Sequence, residues 1–144
     1  MTLLVSACLL GVCCRYDGES KPCEAVLALR QKHTLIPVCP EQLGGLPTPR
    51  VPAERVGDRV ITRDGRDVTE AYLGGSEQVV RIARLLGADG AVLKQRSPAC
   101  GVGLIYDGSF SGRLKQGDGV LTERLRAEGL AVLSLDEEGP ACGL

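Results

Sequence analysis

Apolar residues along the chain fall into two patterns, short aliphatic runs and longer stretches with helical spacing. Residues 2–7, 34–38, 90–94 and 131–135 are mainly aliphatic, are bounded by Gly, Pro, His or Asp, and read as buried parallel strands. Between the first two, Val26, Leu27 and Arg30 keep helical spacing over residues 23–31, after a Pro22 suited to a first turn. Residues 76–86 give a second helix, with Val79, Val80, Ile82, Ala83 and Leu86 as its apolar stripe and Gly87 as its stop. A third opens at Asp118 as N-cap, carries Leu121, Leu125 and Ala127, and ends at Gly129. Strands that alternate with helices predict an α/β fold: a Rossmann-like open, mostly parallel sheet with helices on both faces.

The alternation breaks between Glu41 and Thr69. Gly44, Gly45, Pro47, Pro49 and Pro52 rule out a central strand or helix there, so this stretch reads as a functional or covering loop. Residues 59–62 followed by Asp64-Gly65 predict a small hairpin insertion. Arg50, Arg55, Arg59, Arg63 and Arg66 concentrate positive charge in the same segment, either as a solvated face or as a phosphate-binding surface.

A length of 144 residues predicts one domain over residues 1–144. The 17 Lys and Arg nearly balance the 18 Asp and Glu, which argues against a nucleic-acid-coating protein. Tyr16, Tyr72, Tyr106 and Phe110 are the whole aromatic complement, so the core must be aliphatic and a base-stacking platform is poorly supplied. The apolar N-terminus lacks the basic region and apolar length of a secretion signal, and no long apolar run calls for a membrane. A cytoplasmic protein is therefore expected.

In that compartment the seven cysteines change the picture, because cytosolic thiols serve metal binding or catalysis more often than disulfides. Cys8, Cys39 and Cys100 each lie at or just past the carboxyl end of a predicted strand, where open α/β sheets bind ligands. Parallel strands would bring the three to one sheet edge despite their separation in sequence. Three thiolates can hold an iron–sulfur cluster or zinc and leave one position for substrate, whereas any one of them alone reads as a buried structural cysteine. Cys13 and Cys14, next to Arg15, read as an extra ligand, a redox pair or loop thiols, and rank below the trio. Cys23, Cys142 and His33 are isolated and read as incidental. No Cys-x-x-Cys pair, phosphate loop, dinucleotide loop or nucleophile elbow is present. A zinc-binding or cysteine redox-sensing module without turnover is the competing reading, and an RNA-binding module using the arginines ranks third.

Several segments together carry a resemblance. Ser6-Ala-Cys-Leu-Leu-Gly and Cys14-Arg-Tyr-Asp-Gly are followed by Pro37-Val-Cys-Pro-Glu, Gly44-Gly-Leu-Pro-Thr-Pro-Arg, Asp67-Val-Thr-Glu, Lys94 with Ser97-Pro-Ala-Cys-Gly, and Ile105-Tyr-Asp-Gly. Over nearly the whole chain these resemble the thiouracil desulfidase (TudS) domain family in its single-domain form. The resemblance implies a [4Fe-4S] cluster held by Cys8, Cys39 and Cys100, with the fourth iron open to the sulfur of a thiolated uracil. It also implies that Glu41 and Ser97 stand beside that iron. Glu41 is then the candidate general acid/base, Ser97 a hydrogen-bonding or proton-relay group, and Lys94 a residue that orients the ring or stabilises negative charge. The implied substrate is a thiolated pyrimidine base or nucleoside, or 4-thiouridine within tRNA, and the implied products are the oxo base and sulfide.

Overall fold

The four aliphatic runs form one parallel sheet, in a computed structural model that describes residues 1–136, so Cys142 lies outside the described residues. In chain order the elements are β1 (Thr2–Ser6), α1 (Glu24–Leu27), β2 (Thr34–Val38), α2 (Pro40–Leu43), β3 (Ala53–Val56), β4 (Arg59–Thr62), α3 (Thr69–Leu86), β5 (Gly90–Val92), β6 (Leu104–Tyr106), β7 (Leu114–Gln116), α4 (Val120–Ala127) and β8 (Ala131–Leu133). The sheet order is β2-β1-β5-β8, parallel throughout. Alternation along the strands supplies two apolar faces. Leu4, Ala91 and Val132 join the core made with α3 and α4, while Leu3, Val5 and Val92 join a second core with Leu9, Cys23 and Val26.

Three of the four strands are shorter than their aliphatic runs, and at the end of β5 a polar side chain takes over the backbone bond. The ladder reaches Leu93, whose N–H meets the Leu133 carbonyl, and then stops where the Lys94 N–H turns to the Ser6 hydroxyl at 2.8 Å. After β1 the chain tightens into a 3-10 turn, Ala7–Leu10, closed by Gly11 at φ 98°. The helix expected over residues 23–31 is one α-turn continued by a 3-10 turn, Ala28–Gln31. Asp118 does not cap α4. Its carboxylate accepts from Gly103 N–H at 2.8 Å and from Arg126 at 2.6 Å, bracing two loops, and Gly119 takes the cap position.

The largest departure is α3, which begins at Thr69 rather than Ser76. Asp67 starts it by accepting from the Thr69 N–H and hydroxyl at 2.9 and 2.6 Å. Gly74 and Gly75 weaken helical propensity, yet the helix runs through them. The second glycine is there for space. A Cβ on Gly75 would meet the Pro40 carbonyl oxygen at 1.9 Å, and one on Gly44 would meet the Ala71 carbonyl oxygen at 2.0 Å. Thus α2, inside a stretch expected to be loop, rests backbone against backbone on α3. Gly75→Ala is expected to lower stability by about 1–3 kcal/mol through overpacking, read as a lower urea midpoint at unchanged slope. An unchanged midpoint would show that α2 does not need this close approach.

Two antiparallel hairpins complete the fold, where one was expected. The β3–β4 hairpin turns at Gly57-Asp58, and Asp64-Gly65 makes a further turn that returns the chain to a single Ile61–Asp67 bridge. The β6–β7 hairpin was not legible from its short strands. Its connecting loop is shaped by Asp107, which accepts from the Ser109 N–H at 2.9 Å, and by Glu54, which accepts from Gly108 and Phe110 N–H at 3.0 and 3.1 Å. Among the described residues no helix is long and apolar enough to cross a membrane.

Candidate active site

In the order β2-β1-β5-β8, the chain leaves β1 toward one side and enters β5 on the other, so the connections diverge beyond the carboxyl ends of β1 and β5. Open α/β sheets form their ligand crevice at such a point. A cavity of about 370 Å³ lies there. Its wall includes Cys8, Cys39, Cys100, Glu41, Ser97 and Lys94, so these six candidates from the sequence meet in one place.

Each is delivered by a different local device. Cys8 sits in the 3-10 turn that follows β1. Cys39 follows β2 and is the N-terminal cap residue of α2, which puts Glu41 in the first turn of that helix. Cys100 ends a Ser-Pro turn in which the Ser97 hydroxyl accepts from the Ala99 and Cys100 N–H groups, both at 3.1 Å. The Ser-Pro pair therefore shapes a turn, and among the described residues the hydroxyl's own proton is left uncommitted. Lys94 is buried at the mouth of β5, with Nζ 3.2 Å from Asp136 Oδ2 and also donating to the Gln95 carbonyl at 3.2 Å.

Four wall residues carry more than sequence reasoning assigned them. Cys14 is buried and lines the cavity beside Cys8 and Cys39, while its neighbour Cys13 is exposed. Ser6 lies beside the Cys100 thiol, whose ionised form it favours, and its hydroxyl accepts from the Lys94 N–H at 2.8 Å. Tyr72, from α3, lies close to Glu41 and Arg50 under the same wall, and burial followed by the Glu41 charge raises its phenol well above the usual range. Arg50 is a second buried cation beside Lys94: it lies 3.9 Å from Glu41 Oε2 and donates to the Cys14 carbonyl at 2.9 Å and the Thr48 hydroxyl at 3.1 Å. The only signal for Arg50 was its membership of the Gly44-to-Arg50 segment, because in the arginine-rich stretch it looked like one of five equal surface charges.

The other arginines of that stretch are paired within the chain. Arg55 pairs with Glu123 at 2.6 Å, Arg59 with Asp67 at 2.6 Å and Arg66 with Asp64 at 3.3 Å, while Arg63 lies over the Phe110 ring at 5.7 Å. Cys23 is buried in the second core, and His33 Nδ1 lies 3.1 Å from the N-terminal amine, so both stand apart from the cavity.

Burial and neighbouring negative charge hold three of the thiols in their neutral form. The bond to Cys14, burial and the nearby Glu41 carboxylate hold Cys39 above the ordinary thiol range, and burial with Glu41 does the same for Cys100. At Cys14 the bond to Cys39 lowers the thiol, but contact with Cys8 and burial outweigh it and push it up to about 11. All three are protonated thiols at neutral pH, so any metal they ligate must displace their protons. The donor set is sulfur from separate chain segments, with no histidine among the wall residues. Among the described residues no three Cys, His, Asp or Glu side chains converge tightly enough to hold a single metal ion. Thiols spread around a cavity fit a polynuclear cluster, whose ligands each reach a different metal atom, better than mononuclear zinc.

Comparison with known proteins gives the family and the fold. The family described as 2-thiouracil desulfurase matches residues 3–137. YbbK of Bacillus subtilis (strain 168), itself described as uncharacterized, is 39% identical over 145 residues, covering 94% of this chain and 96% of YbbK. The solved structure of the [4Fe-4S]-dependent thiouracil desulfidase TudS is 44% identical, with a TM-score of 0.88 and coverage of 95% of this chain and 92% of that one. On the family match, the relatives and the fold together, the chain belongs to the 2-thiouracil desulfurase family.

Proposed function

We propose that this chain is a [4Fe-4S]-dependent desulfidase that converts a thiolated uracil to the oxo base and sulfide in the cytoplasm, with Cys8, Cys39 and Cys100 holding the cluster. The observation that carries the reading is the meeting of these three thiols with Glu41 in one crevice at the sheet's switch point. Family membership supports the substrate class, and the [4Fe-4S] dependence of the 44% identical relative supports the cofactor. A cavity of about 370 Å³ suits a pyrimidine base or nucleoside, such as 2- or 4-thiouracil or 4-thiouridine, the last also as a base presented by tRNA.

When bound, the cluster supplies a soft Lewis acid for the thiocarbonyl sulfur, polarising the C–S bond without net electron transfer. Glu41 takes a proton from the water that attacks the ring carbon and returns one as the sulfur leaves. Arg50, which holds both Glu41 and the Cys14 carbonyl, keeps that carboxylate on the cavity wall. Ser97 donates its free hydroxyl proton to the substrate while its oxygen keeps the Cys100 turn in place. Lys94, fixed by Asp136, steadies the negative charge that builds on the ring.

The test is an anaerobic preparation in which iron, zinc and acid-labile sulfide are counted per chain, followed by incubation with 4-thiouridine and assay of released sulfide. About four irons and four sulfides with sulfide release are expected. Zinc, or no metal after reconstitution, would overturn the reading.

A further inference from the structure

We propose that Cys14 is a fourth ligating thiol, closing the coordination position that substrate sulfur takes and withdrawing when substrate arrives. The inference rests on the cluster reading above and adds a resting state to it. An ordinary [4Fe-4S] site has four cysteine ligands. The wall of this cavity presents four cysteines, three assigned as holding ligands and one not.

Cys14 is not an incidental thiol. It is 3% exposed and lines the cavity wall together with Cys8 and Cys39. The Cys39 sulfur also lies 3.8 Å from the Cys14 carbonyl oxygen. That carbonyl is gripped by Arg50 at 2.9 Å, and the Arg50 N–H donates to the Tyr16 carbonyl at 2.8 Å, so the loop that carries the thiol is tied to the segment that carries Glu41's partner. Cys13, one residue away, is exposed and outside the cavity wall.

The four thiols differ in how they are mounted. Cys8 sits in the 3-10 turn just after β1, Cys39 directly follows β2 as the cap residue of α2, and Cys100 is locked by the Ser97 turn and by the Thr122 hydroxyl, which donates to its carbonyl at 3.1 Å. Cys14 stands in the stretch between Gly11 and Cys23, which contains no strand or helix. A loop-borne ligand is the one able to leave and return while the others hold the cluster. On ligation the thiol loses its proton to solvent and a sulfur–iron bond forms. When the thiocarbonyl sulfur brings its lone pair, that bond breaks and the Cys14 thiolate takes a proton back, with no change in oxidation state.

A capped iron should resist oxidative loss, and this gives a readout that does not depend on turnover. The full chain is loaded anaerobically as wild type, Cys14→Ala, Cys14→Ser and Cys13→Ala, then exposed to ferricyanide, which takes one electron and lets an unprotected iron leave as Fe2+. Conversion to the [3Fe-4S] form is followed by electron paramagnetic resonance and by iron released. Both Cys14 variants should convert about tenfold faster than wild type, while Cys13→Ala matches wild type. Equal rates in all four proteins, each starting with a full cluster, would overturn the cap and leave the desulfidase reading standing. Failure of both Cys14 variants to load any cluster would make Cys14 a holding ligand and also overturn it. A wild-type chain that binds no cluster would overturn both readings.

Discussion

Cys100→Ser is expected to give a folded protein that has lost its cluster and its desulfidase activity. The backbone at this position is held independently of the sulfur, by the Ser97 hydroxyl on its N–H and by the Thr122 hydroxyl on its carbonyl. Serine is nearly the same size and finds the Ser6 hydroxyl beside it, so the fold should survive. An alcohol oxygen, however, is a hard ligand that ionises far less readily than a thiol, and it replaces one of three holding sulfurs. Cluster affinity should fall by more than the roughly 10–100-fold that outer-shell changes cost a metal site, leaving little iron or acid-labile sulfide per chain. Metal counting and visible absorption read the loss, and thermal unfolding checks the fold. A variant that keeps a full cluster would remove Cys100 from the ligand set.

Glu41→Gln should separate the chemistry from the cofactor. The carboxylate is 8% exposed, with Oε1 3.8 Å from the Cys39 sulfur and Oε2 3.9 Å from Arg50. Glutamine keeps the volume and can still accept hydrogen bonds, but it cannot take a proton from water. The expected result is unchanged iron and sulfide content with kcat lower by about 10²–10⁴-fold, the usual contribution of a positioned acid or base. Arg50 retains the carbonyls of Cys14 and Pro47 and the Thr48 hydroxyl as acceptors, so the buried cation is not stranded and the fold should hold. Full turnover in this variant would show that the proton is handled elsewhere.

The parallel sheet and the convergence of Cys8, Cys39 and Cys100 were legible in the sequence for one reason: fully buried parallel strands are continuous aliphatic runs, and the residues just past their carboxyl ends must share one sheet edge. The 34–38 strand has the bounds its run suggested. The features that stayed hidden depend on contacts between distant segments. Gly74 and Gly75 precede the start expected for α3, and the reason the helix keeps Gly75, to admit the α2 backbone, lies in a distant segment. A segment with Gly44, Gly45 and three prolines read as loop throughout, though its first residues are helical. Arg50 and Arg59 are the same residue type in the same stretch, yet one is buried against Glu41 and the other is exposed against Asp67. Nothing local distinguishes them. Cys14 was likewise indistinguishable from Cys13 until the loop's path turned one inward.

The contact of α2 with α3 also sets how often the crevice breathes. Four residues are far too few to sustain a helix alone, so α2 borrows its persistence from the 18-residue helix beneath it. Amide protons in the α2 turn should therefore exchange with solvent at rates that follow the opening of α3, not at the fast rates of an isolated turn. A carboxylate and a thiol carried on so small a lever then move only when a much larger cooperative unit opens. Solvent would reach their side of the crevice through rare collective excursions rather than through local fraying.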